Sequence, residues 1–170
     1  MGSTKGNDLA KWVANLKALG PYSRDRGVTL VVKPHGGNTG PGRALSEISK
    51  EIGDEGVKIS YDAGNVMDYH HIDPLPDFAS CVEDVRSLCI KDHRQVPKDE
   101  DCGPGLGEID HYKLLRPLIA TGRDLPLCCE NVNAPLLPPP ADPEGVDALA
   151  RRAREFLALV VRAGLIIVPR

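Results

Sequence analysis

Four short apolar runs, each followed by a helix-forming stretch, constrain this chain more than any other feature. They are VTLVV at 28–32, VKISYDAGN at 57–65, VRSLCIKDH at 85–93 and LPLCCENV at 125–132. Strands recurring about every 30 residues with helices between them need crossover connections, so the sheet they build is parallel. Crossovers of this kind wind right-handed. Four strands cannot close on themselves, and the chain has 170 residues, enough for one domain. Two strand edges are therefore left open, and three arrangements would cover them. The chain is a fragment of a longer one, pairs with a second copy, or patches its edge with the apolar tail at 165–170, which has no other evident role.

The helical stretches carry their own punctuation. Leu9, Trp12, Val13 and Leu16 make one stripe over 8–19, ending at Gly20, and 21–27 reads as another turn. Over 43–52 the stripe is Leu45, Ile48 and Ile52. A short helix is expected at 77–82. A helix starts after Asp110, which can cap it while Ile109 staples onto Leu114. The last spans 142–163: Asp142 caps, Pro143 takes the first helical position, and Gly164 ends it. Its stripe is Val146, Leu149, Ala150, Ala153, Leu157 and Val160. The remainder reads as loop, including a polar turn after 65 and a long connection over 94–108 whose charged part, 98–101, is solvated.

Charge and cysteine content narrow the setting. A net charge of −3 gives no general attraction to nucleic acid or anionic membrane. No apolar run reaches the roughly 20 residues of a membrane helix. The opening MGSTKG fits an N-myristoylation pattern, but no second anchoring signal accompanies it. The five cysteines are odd in number and form no C-x-x-C pair, which argues against a disulfide framework or a structural zinc. A reducing cytoplasm is the simplest setting.

Each strand ends in residues that can ligate a metal or move a proton: Lys33 and His35, Asp62 and Asn65, Lys91 to His93, Glu130 and Asn131. Parallel α/β folds collect functional groups at those ends. One polar strand end is routine; four in succession favour a shared site. Lys33 and His35 share a face by alternation, as do Cys89, Lys91 and His93 if that strand runs to 93. Plainer roles stand beside each. His35 and His93 can cap backbone groups, Lys33 can simply neutralise a carboxylate, Asn65 can serve its turn, and Cys89 can fill core space. His70, His71 and His111 read as exposed and peripheral. The glycines of GPGLGEID shape a loop, since no strand immediately precedes them to make a dinucleotide site, and Glu108 is only a remote site candidate.

GVTLVVKPHGG, VKISYDAGN, LCIKD, GLGEID and PLCCEN, in this order and spacing, resemble the sugar phosphate isomerase/epimerase family of xylose isomerase-like TIM barrels. The resemblance covers about 9–161 and corresponds to strands five to eight. It implies an α/β fold, a partial (β/α)8 barrel in one domain over 1–170, with the N-terminal half absent. In the family's epimerases, four inward residues (Glu, Asp, His, Glu) hold one divalent metal, and the two glutamates exchange the proton beside the substrate carbonyl. Carried over, the Asp falls on Asp62 and the last Glu on Glu130. The other two positions depart from the pattern: Lys33 stands for Glu and Cys89 for His.

His35 and His93, displaced toward the strand ends, supply two imidazoles in compensation. The candidate metal set is thus His35, Asp62, His93 and Glu130, holding a divalent ion: Mn, Co, Fe, Zn or Mg. The expected activity is metal-assisted proton transfer next to a carbonyl of a small sugar or polyol. Glu130 is the candidate base and Lys33 the acid or counter-ion. Lys91 and Asn65 are the candidate substrate contacts. A catalytically silent ligand-binding half barrel that has lost the metal is the alternative, and a metal-dependent hydrolase or lyase a third. A nucleic-acid substrate is disfavoured for want of a basic stripe. The expected partners are a small-molecule substrate and either a second copy or the rest of a longer chain.

Overall fold

The computed structural model describes residues 9–167 apart from Asn38. They divide into two compact units, with the boundary between Cys89 and Ile90. The opening MGSTKG and the tail residues 168–170 lie outside the described residues.

The first unit begins with α1, Leu9–Arg24, which includes most of the extra turn suggested by 21–27. Val13 and Leu16 are buried as the stripe requires, while Leu9 stays exposed. The strand β1, Leu30–Val32, is shorter than the run 28–32. Val28 is spent on the preceding turn, where its N–H donates to the carbonyl of Ser23. β2, Val57–Tyr61, is buried throughout and pairs in parallel with β1, Leu30 opposite Val57. β3, Val85–Ile90, pairs in parallel with β2, with one register shift after Ile59. Helix α1 comes so close to the start of β2 that a Cβ at Gly56 would run into the carbonyl of Gly20. Only glycine fits there.

Between the strands lie α2, Gly42–Ile52, and α4, Pro74–Cys81. Leu45, Ile48 and Ile52 of α2 are buried as expected. Helix α4 starts earlier than 77–82, because the Asp73 carboxylate caps it by accepting the N–H of Leu75. The Asp77 carboxylate accepts both the N–H of Gly42 and the hydroxyl of Tyr61, at 2.8 Å each, so one side chain ties α4, α2 and β2 together. β2 stops at Tyr61 instead of running on to 65, and Ala63–His70 forms a further helix, α3. Asp62 is its cap.

The second unit holds the larger correction. The run 85–93 is not one strand: β3 ends at Ile90, and 92–94 turns away as β4, Asp92–Arg94. β4 pairs antiparallel with β5, Glu100–Cys102, inside what the sequence marked as loop. Within this unit the carbonyl of Ile90 accepts the N–H of Glu130, just past β6, Leu127–Cys129. Helix α5, His111–Ala120, is capped by Asp110, which accepts the N–H of Lys113, and both Ile109 and Leu114 are buried. Helix α6, Pro143–Ile167, continues past Gly164. That glycine allows close packing instead, since a Cβ there would meet Ile119 of α5. Of the expected stripe, Ala153, Leu157 and Val160 are buried and Val146 is exposed. Among the described residues no helix is long and apolar enough to cross a membrane.

Candidate functional site

Each unit carries one cluster of charged groups at its strand ends. In the first unit β1 delivers Lys33, β2 delivers Asp62, and β3 carries Cys89. Asp62 is fully buried, and its Oδ1 accepts the N–H of Asn65, the usual work of a helix cap. Its Oδ2 lies 2.9 Å from the Lys33 ammonium, which also donates to the Cys89 Sγ at 3.3 Å. A carboxylate wholly removed from water is tolerable only with such a partner.

Asn65 is buried and donates through Nδ2 to the carbonyl of Pro34 at 2.6 Å, which pins the loop after β1 onto α3. His35 sits on that loop, exposed, with its ring 5.3 Å from that of Tyr69. The loop closes when the His35 N–H donates to the carbonyl of Thr39, and Gly36 and Gly37 both take positive φ there. His70 is partly buried, not peripheral; its Nε2 is enclosed beside Gly40.

In the second unit the buried Lys91 ammonium lies 2.6 Å from Asp101 Oδ2 and 3.5 Å from Glu130 Oε2. Asp101 also holds His93, Oδ1 to Nδ1 at 3.0 Å, while the other ring nitrogen is 3.2 Å from Asp99. Both nitrogens of this buried imidazole thus face carboxylates of the hairpin. Glu130 remains 43 % exposed. Asp99 is more open still, while Lys91 and His93 are buried.

Asp92, read from the sequence only as one of the polar groups ending the third strand, organises this unit. Fully buried, it accepts the N–H groups of His93 and Ile109 through Oδ1 and of Gly105 through Oδ2, at 2.9 to 3.0 Å. His111, expected outside, is buried beside it, with Nδ1 3.8 Å from Asp92 Oδ2 and 2.9 Å from the carbonyl of Ile109. The ring packs edge-on against Phe156, a contact between α5 and α6. The only advance signal for Asp92 was its place after an apolar run. Glu108 serves the loop: it accepts the N–H groups of Gln95 and Val96, which hold its carboxyl below the ordinary range. Cys81 and Cys102 are inert thiols, each pushed up to about 12 by burial.

The fold family implies a divalent ion, and the first unit's residues can be tested against one. Asp62 Oδ1 is engaged by a backbone N–H, and both Asp62 Oδ2 and Cys89 Sγ face the same ammonium. An ion bound to those two atoms, at the roughly 2.0–2.3 Å such ligands require, would meet the positive charge of Lys33. These residues do not fit a metal while Lys33 is charged.

The family model for the xylose isomerase-like TIM barrel matches residues 2–162. No curated protein sequence matches the chain. Among solved structures it resembles a xylose isomerase-like TIM barrel protein of Mycobacterium smegmatis in complex with magnesium. There the TM-score is 0.74 at 19 % identity, covering 94 % of this chain and 53 % of that one. A xylose isomerase domain protein of Planctomyces limnophilus gives a TM-score of 0.69 at 18 % identity, over 89 % and 51 %. D-psicose 3-epimerase of Clostridium cellulolyticum H10, solved with D-tagatose, gives 0.71 at 14 % identity, over 88 % and 55 %. The chain therefore spans about half the length of the structures it matches. With four strands of α/β alternation and a family match over nearly all of its length, this chain belongs to the xylose isomerase-like TIM barrel family.

Proposed function

We propose that the chain contributes to an isomerase- or epimerase-like site acting on a small sugar or polyol, with Glu130 moving the proton next to the carbonyl. The observation that carries this reading is the pairing of a half-exposed Glu130 with the buried Lys91 ammonium at 3.5 Å. A carboxylate held in place by a neighbouring ammonium is a group that can take up a proton from a bound substrate. Partial exposure leaves it reachable by a substrate. Family membership and the likeness to an epimerase support a sugar or polyol as the substrate class. Lys91 orients the base, and Lys33 with Asp62 forms the charged pair of the other unit.

The test is deuterium incorporation from D2O into a panel of ketoses, followed by NMR at the carbon beside the carbonyl. The expected result is exchange that Glu130→Gln abolishes while sugar binding persists. Exchange unaffected by Glu130→Gln would refute the assignment. A second reading, a ligand-binding protein without turnover, is favoured by the closed Lys33–Asp62 pair; saturable sugar binding with no exchange would support it.

A further inference from the structure

We infer that the Lys33 ammonium takes the place of a divalent cation at Asp62, so that the first unit's cluster works with a fixed protein charge and excludes the metal. The inference does not depend on the role proposed for Glu130. It begins from charge balance. Asp62 is fully buried, and the carboxylate needs positive charge beside Oδ2, which Lys33 supplies at 2.9 Å. The ammonium has three protons, and the Cys89 sulfur accepts one of them at 3.3 Å. An ammonium with a carboxylate and a soft acceptor around it is a settled arrangement.

Sequence and geometry agree on the point. Lys33 and Cys89 are the two positions at which the chain departs from its family's ligand pattern. Although 56 positions apart, they are in contact with each other. Replacing one acidic ligand by a lysine reverses a charge, and replacing an imidazole by a thiol gives that lysine a small acceptor in place of a bulkier ring. The two departures therefore read as one change, made around a cation that belongs to the chain.

Manganese binding to the intact chain, read by the loss of the free-ion EPR signal, tests this. In the wild type, Asp62→Asn should leave Mn²⁺ affinity unchanged, because Asp62 holds no ion. Lys33→Glu should raise affinity by at least about tenfold, and adding Asp62→Asn to it should abolish the gain. Lys33→Met, which removes the charge without adding one, should show a smaller Asp62-dependent gain and serves if Lys33→Glu does not fold. Wild-type binding that Asp62→Asn weakens tenfold or more would overturn the inference. So would the absence of any gain in the folded Lys33 variants, since something other than the ammonium would then be excluding the ion.

Discussion

Replacing Asp92 by alanine should destabilise the second unit more than any comparable change in its hairpin. The side chain is fully buried, and three backbone N–H groups, those of His93, Gly105 and Ile109, depend on it. Leaving a buried donor without an acceptor costs about 1–3 kcal/mol. Three such losses, partly relieved by water entering the vacated space, come to about 3–5 kcal/mol, near the upper limit for single substitutions. With a urea dependence of roughly 2 kcal/mol per molar, the midpoint should fall by about 2 M.

Asp92→Asn should cost less, about 1–3 kcal/mol, because its carbonyl still accepts while its amide opposes one of the three donors. Urea unfolding ranks the variants, and hydrogen exchange localises the effect: the amides of Gly105 and Ile109 should lose protection first. A midpoint shift in Asp92→Ala below about 0.5 M, or unchanged protection of those two amides, would refute the reasoning. Water would then already serve the donors that the carboxylate was taken to hold.

Two further outcomes follow from the same geometry. Lys33→Met takes the ammonium away from the buried Asp62 carboxylate and should cost about 3–5 kcal/mol, much of which the double variant Lys33→Met/Asp62→Asn recovers; strict additivity in a denaturation cycle would show that the pair is not coupled. Glu108 is held below its ordinary value by the N–H groups of Gln95 and Val96, so its contribution to stability is complete above about pH 4.5 and is lost as pH falls through the depressed value. Glu108→Gln should therefore flatten the acid limb of the stability profile, and an unchanged limb in urea titrations at several pH values would count against that role.

The features decided by the sequence alone are those with short-range causes. Helix α2 follows from the spacing of Leu45, Ile48 and Ile52, and the starts of α5 and α6 from the carboxylates of Asp110 and Asp142, each accepting an N–H three residues on. β2 is legible because it is apolar and short, and the order of its neighbours because parallel crossovers leave few alternatives. The identity of the charged groups at the strand ends was equally visible, since it needs only composition and position.

Their partners were not. Nothing local says that 92–94 leaves the parallel sheet to pair with 100–102, for both segments are polar and lack the alternation of a half-buried strand. The pairing comes from contacts made across the fold, above all the burial of Asp92 among backbone donors as distant as Ile109. His111 is inside among groups brought together by the fold, with Asp92 beside it and Phe156, far along the chain, against its ring. Lys33 meets Asp62 and Cys89 only because β1, β2 and β3 lie side by side in the register the sheet imposes. Local sequence determines which groups a strand end presents, but long-range packing decides which opposite charge satisfies a buried one, because that choice is made by distance in the folded chain.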